Sequence, residues 1–396
     1  MTVLRRCRAL TMVAILCGVL SDGCGDSQQP QPGPIQLGGI FNLTGGQESL
    51  DIPSRNGAVL AVEQINAAGG VLGRRVELVT ADGETDAAVL QARTGELVAS
   101  GVAAMLGLSD TDAVLAAAPA AAEAQTFFVT SGATSPHLPA QVPQYLYLAC
   151  FGDNEQAAAG AEYAASSLQA RTAYLLLDST TDYTVLLAGY FQDAFTQLGG
   201  TIVLSAQYDG HDGALDLSGQ IEQLQSLGSV PDILYIAAGP DEITAIVPQI
   251  RAAGIDRPIL GGDGYDTSSL LQLGAGADDI SYTTHALLTA DSADARVRQF
   301  VADYQARYGT APENAFAGLG YDTVELLVDA IRRAGSSQRA AIGAALASTH
   351  DLAGVTGTIS YVDGSHLPRK TVAVVHLQDG KRELAAQFIP THVPSP

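Results

Sequence analysis

From residue 35 onward, short aliphatic runs alternate with longer segments whose apolar positions recur at helical spacing. The first run, 35–42 (IQLGGIFN), leads into a helix of small residues, and 65–82 (INAAGGVLGRRVELVTAD) completes one strand–helix–strand unit. Gly69 ends that helix, where the chain can take the left-handed conformation that a Cβ resists. Val76 and Leu78 then alternate with charged neighbours up to Asp82 at the strand end. The pattern predicts strands over 75–80, 103–107 and 126–130, with helices around 87–99 and 113–124 between them. A second series follows at 145–151, 172–177, 201–206, 233–237 and 258–260, and strands return at 358–362 and 371–377. Its clearest helix opens at Tyr183, with Leu186, Leu187, Tyr190, Phe191 and Ala194 on one stripe and Gly199 and Gly200 as the stop. Pro248 kinks the helix around 243–253 or marks its first turn. Such alternation predicts an α/β protein with mostly parallel sheets flanked by helices. At 396 residues the chain exceeds one hydrophobic core, so two lobes are expected.

The amino terminus breaks the pattern. Arg5, Arg6 and Arg8 precede a mostly apolar stretch over 9–20, which is too short to span a bilayer and reads as a signal peptide, 1–23. Cys24 follows Ser21-Asp22-Gly23 and precedes a polar, Pro-rich stretch over 25–34 that reads as a tether. Two readings stand for Cys24: lipidation as the first residue of an anchored protein, or ordinary cleavage nearby. Cys150 is the only other cysteine beyond the signal, so no disulfide framework and no CxxC zinc site is expected.

Charge narrows the function. The formal net charge is −22 and the only lysines are Lys370 and Lys381, a composition unsuited to phosphate backbones or anionic lipid. No GxSxG, HExxH or GxxxxGK[ST] pattern occurs, and the seven histidines are scattered. His211, in an acid-rich turn without EF-hand spacing, reads as solvated surface. No catalytic role, cofactor or metal is expected.

Ligands of open α/β sheets sit beyond the C-terminal strand ends. There the chain carries two hydroxyl-rich turns, 108–112 (LSDTD) and 131–136 (SGATSP). Exposed N–H groups at a helix start, helped by hydroxyls, can hold a carboxylate; the same residues can equally be N-caps. Asp263 lies between glycines after a buried strand (ILGGDG), where a cap or a ligand carboxylate are the two readings.

Three ordered blocks, INAAGGVLG (65–73), IRAAGIDRPILGGDG (250–264) and FAGLGYDTVELL (316–327), make the chain similar to type I periplasmic binding proteins of the branched-chain amino-acid-binding family. The resemblance covers about 35–377. It implies a two-lobed fold crossed more than once, with 35–149 and 287–355 in lobe 1 and 150–286 and 356–389 in lobe 2; the stretch 390–396 reads as a loose tail. It implies that Thr111 and Thr134 offer hydroxyls, Gly132 a carbonyl and Thr134 a backbone N–H, with Ala133 in the same turn. Ser131 and Gly132 replace the family's Pro and Ala. Asp263 would receive the ligand's ammonium group. Tyr183 would face the ligand, although Thr184 replaces the family's Gly and Tyr183 could simply open its helix stripe. Leu50, Gly239 and Phe316 would line a side-chain pocket with Glu48 nearby, or, for the apolar two, be plain core. The implied protein is an exported, lipid-anchored monomer of the periplasm or cell envelope. It would capture an amino acid for the permease and ATPase subunits of an importer, bind no nucleic acid, and touch membrane only through its N-terminal lipid. A receptor-coupled sensor, or a binder of amides or other small carboxylates, shares this pattern.

Overall fold

The computed structural model of the protein describes residues 33–210 and 215–396; the signal segment, Cys24, most of the tether and His211 lie outside them. Five strands, β1 (Ile35–Phe41), β2 (Val76–Asp82), β3 (Ala104–Gly107), β4 (Phe128–Thr130) and β5 (Leu146–Leu148), form a parallel sheet in the order β2-β1-β3-β4-β5. The next five, β6 (Thr172–Asp178), β7 (Thr201–Tyr208), β8 (Ile233–Ala237), β9 (Ile259–Gly261) and β10 (Ile280–Thr284), repeat that order as β7-β6-β8-β9-β10, again parallel. β11 (Leu352–Gly354) and β12 (Gly357–Ile359) form a separate hairpin. β13 (Val372–Gln378) and β14 (Lys381–Phe388) then extend the second sheet antiparallel from β10. Each sheet therefore reverses its winding between its first and third strands, and each reversal opens a crevice at the strand ends.

Two core clusters flank each sheet. The helix Ala315–Ala334 returns to the first sheet, where it lies directly against the helix Glu48–Ala67. A Cβ on Gly57 would collide with the Ala317 carbonyl, and one on Gly320 with the Ser54 carbonyl. Gly57 and Gly320, one on each helix, thus let the two backbones touch.

The segment 358–362 departs from the expectation of a second-sheet strand. β12 pairs with β11, Ile359 and Tyr361 pack in the first core, and the Tyr361 hydroxyl donates to the Leu148 carbonyl at 2.8 Å. A short hairpin and a sheet strand share the same alternation, so periodicity could not separate them. β10 and β14 escaped the pattern for different reasons. β10 is buried but carries Ser281, Thr283 and Thr284, whereas β14 is an edge strand with charges along it. The tail is not loose: Glu162 accepts from the Thr391 and His392 backbone N–H groups at 2.8 Å, and Asn154 donates to the Pro394 carbonyl at 3.0 Å. Among the described residues, no helix is long and apolar enough to cross a membrane.

Buried polar groups stitch the passages between the sheets. The Lys370 ammonium donates to the Ala149 carbonyl at 2.9 Å and to the Thr356 hydroxyl at 2.7 Å, and that hydroxyl donates to Asp322 at 2.6 Å. Burial lowers the Lys370 pKa, opposed by the Asp322 charge. Asp266, after β9, accepts from Arg382 and from the Ala315 N–H that opens the returning helix, both at 3.0 Å.

Candidate functional site

The crevices of the two sheets meet in one narrow cavity of about 20 Å³. From the first sheet come Gln47 and Leu50 after β1, and Ser109, Asp110 and Thr111 after β3, with Thr134 after β4 and Phe316 from the returning helix. From the second come Tyr183 after β6, Gly239 and Pro240 after β8, and Asp263 and Gly264 after β9. Seven of the residues singled out in the sequence therefore share one space: Leu50, Thr111, Thr134, Tyr183, Gly239, Asp263 and Phe316. Gly132 and Ala133 sit behind it. A Cβ at Gly132 would lie 2.6 Å from the Phe316 ring, and Ala133 is core.

The choice between cap and ligand at the first turn is divided between neighbours. Asp110 is the N-cap of the helix Thr111–Glu123 and accepts from the Ala113 N–H at 2.9 Å. Thr111 is left as the first helical residue, 2 % exposed, with its hydroxyl buried and without a partner. A buried unpaired hydroxyl costs free energy that a ligand hydrogen bond can recover. The second turn is tied by Thr130, whose hydroxyl donates to the Leu108 carbonyl at 2.9 Å and accepts from the Ala133 N–H at 3.1 Å.

Asp263 is held by an internal network. One carboxylate oxygen accepts from the Tyr183 hydroxyl at 3.0 Å and from Gln156 Nε2 at 2.9 Å; the other lies 3.0 Å from His285 Nε2. The Tyr183 hydroxyl in turn accepts from the Gly264 N–H at 3.1 Å. The flanking glycines are a steric requirement. A Cβ at Gly262 would lie 2.5 Å from that hydroxyl, and one at Gly264 would lie 2.8 Å from the Ala238 carbonyl.

Three members of this site were not visible in the sequence. Gln156 Oε1 accepts from the Asp263 N–H at 3.1 Å and the Thr283 hydroxyl at 2.9 Å, so the side chain fixes two strand ends at once. His285 stacks on Phe151 at 3.8 Å, and burial lowers its pKa against the pull of Asp263. Asp153, whose carboxylate accepts from Gln156 Nε2 at 2.9 Å, has its pKa pushed up to about 8 by burial and by the neighbouring Asp263 charge. On the first wall, burial lifts Asp110 to about 6 and Asp51 to about 7. No lysine or arginine lines the cavity among the described residues. Its polar lining is therefore made of hydroxyls, backbone groups and the carboxylates of Asp110 and Asp263.

Known proteins share this fold. Residues 34–382 match the family model described as periplasmic binding protein. The Leu/Ile/Val-binding protein homolog 3 of Brucella melitensis is 27 % identical over 350 residues, covering 88 % of this chain and 92 % of that protein. The crystal structure of a branched-chain amino acid transporter substrate binding protein from Streptococcus pneumoniae, in complex with isoleucine, superposes with a TM-score of 0.83. It is 30 % identical and the match covers 90 % of this chain and all of that one. A leucine binding protein from Thermotoga maritima gives a TM-score of 0.81 at 30 % identity, covering 90 % of this chain and 99 % of that one. This chain belongs to the periplasmic binding protein family, and the proteins it is similar to include substrate-binding proteins of branched-chain amino acid transporters.

Proposed function

We propose that the protein captures an amino acid in the cavity between its two sheets and presents it to the permease of an ATP-driven importer. It acts as an exported, monomeric binding protein that performs no chemistry on its ligand. Lipidated Cys24 would hold it at the membrane through the tether. The observation that carries this reading is the pairing of opposite walls: the unpartnered Thr111 hydroxyl at a helix start on one side, and the Asp263 carboxylate on the other. A zwitterion satisfies both. Its carboxylate meets the Thr111 and Thr134 turns, and its ammonium group meets Asp263. Ligand bound to both walls favours the closed arrangement by its differential affinity.

A thermal-shift screen of the mature protein against the common amino acids, amides and small carboxylates tests the reading. At a ligand concentration near 100 Kd the protein should gain ~2.7 kcal/mol of stability. A screen in which carboxylates without an amino group stabilise as strongly as amino acids would overturn it.

A further inference from the structure

One amide fixes the Asp263 wall from behind. Gln156 belongs to the helix Asp153–Ser166, is fully buried and lies behind the residues that line the cavity. Its side chain uses every hydrogen-bonding capacity an amide has. Nε2 donates to Asp263 Oδ1 and to Asp153 Oδ1, both at 2.9 Å. Oε1 accepts from the Asp263 N–H at 3.1 Å and from the Thr283 hydroxyl at 2.9 Å. The amide therefore grips the main chain and the carboxylate of the same residue. The reverse orientation would set Oε1 against two carboxyl oxygens and Nε2 against the Asp263 N–H, so its partners allow one orientation only.

The start of the same helix is bound to the opposite wall. The Asp153 N–H donates to the Thr134 carbonyl at 2.7 Å, and Thr134 belongs to the second turn of the first wall. Residues 153–156 thus join the Thr134 turn to Asp263 behind the cavity. Burial and the Asp263 charge push Asp153 up to about 8, so at neutral pH Asp153 keeps a proton and sets no full negative charge against Asp263.

We propose that Gln156 is the positioning residue that gives Asp263 its preference for a ligand ammonium group. The inference rests on the amino-acid reading above and names the residue behind its selectivity. Without the amide, Asp263 keeps only Tyr183 and His285, and nothing ties its carboxylate to its own main chain. A carboxylate free to turn must be ordered by the ligand, which lowers the gain from an ammonium contact. A ligand without an ammonium group makes no such contact and is not affected.

Displacement calorimetry of the mature protein tests this with L-leucine, L-alanine, L-glutamate and L-lysine. Each is paired with the acid that lacks only its α-amino group: isocaproate, propanoate, glutarate and ε-aminocaproate. For the tightest-binding pair, Gln156→Met should lower the ratio of amino-acid to deaminated-acid affinity at least tenfold, while the deaminated acid keeps its own affinity within about threefold. Thr283→Val, which frees one side of the amide and leaves Asp263 untouched, should lower the ratio at least threefold. Ile233→Ala, in the second core at the end of β8 away from the cavity, should lower the melting temperature and leave the ratio unchanged. A Gln156→Met protein with the wild-type ratio, or one that loses both ligands equally, would overturn the inference and leave the amino-acid reading standing. If Gln156→Met does not fold, Thr283→Val decides, and an unchanged ratio there overturns the inference. A wild-type protein that binds none of the four amino acids, or binds the deaminated acids as tightly, would overturn both.

Discussion

The two walls of the cavity are built from the same strand order but prepared in opposite ways. On the first wall the decisive group, the Thr111 hydroxyl, has no partner. On the second, Asp263 already accepts from Tyr183 and Gln156 and contacts His285. The first wall keeps an unpaired hydroxyl that a ligand can satisfy. The second holds a carboxylate whose position is set before a ligand arrives. A neutral hydroxyl can wait without a partner at modest cost, whereas a buried carboxylate without partners costs several kcal/mol and would take up a proton instead.

This difference predicts which changes affect affinity alone and which affect stability as well. The largest effect is expected at Asp263→Ala, which should lower amino-acid affinity at least 100-fold. It should also destabilise the protein by ~1–3 kcal/mol, because Tyr183 and Gln156 lose their acceptor. Calorimetry and denaturant melts measure the two separately. Unchanged stability would mean that the second wall is not pre-assembled.

Thr111→Val comes next and should behave in the opposite way. It keeps the shape and removes a hydroxyl that bonds to nothing in the free protein, so stability should stay within ~0.5 kcal/mol or rise. Affinity should fall about tenfold, the worth of one hydrogen bond to a charged group. A stability loss as large as that of Asp263→Ala would erase the contrast. Tyr183→Phe is intermediate and should cost ~1 kcal/mol of stability, since the hydroxyl both donates to Asp263 and accepts from Gly264.

The smallest effect is the pH dependence. Asp153 at about 8, and Asp51 and Glu155 at about 7, stay protonated in the fold at pH values where unfolded carboxyls have ionised. Each has a raised folded pKa, so the native state binds more protons than the unfolded one between about pH 4 and pH 8. Stability should therefore rise as pH falls from 8 to 5, by at most ~1.4 kcal/mol per pH unit for each group. Asp153→Asn should flatten that slope in melts across the range. Below pH 4 the trend reverses, because Asp82, Asp232 and Glu162 have lowered values and lose their stabilising bonds on protonation.

Much of the first wall was legible because it is local. A hydroxyl-rich turn between a strand and a helix announces itself in five consecutive residues, and Thr111 and Thr134 could be read there. Asp263 was visible because glycines flank it, and the structure explains both by the space that Tyr183 and Ala238 take up. Gln156 and His285 left no such trace. A glutamine inside an alanine-rich helix and a histidine after a threonine-rich strand become a site only when folding brings them 107 and 22 residues back to Asp263. The same limit applied to 358–362, whose alternating pattern fits a hairpin and a central strand alike. Nothing local to 390–396 shows its anchor either, since Glu162 is a helix residue more than 200 positions away.

The most direct test of the grip on a zwitterion compares one ligand with its two halves. Titration calorimetry should use the tightest-binding amino acid of the panel, its deaminated acid and its decarboxylated amine. Each wall supplies one essential contact, so both analogues should bind at least 100-fold more weakly than the parent. A deaminated acid that binds as tightly as the amino acid would show that Asp263 receives no ammonium group and would contradict the account.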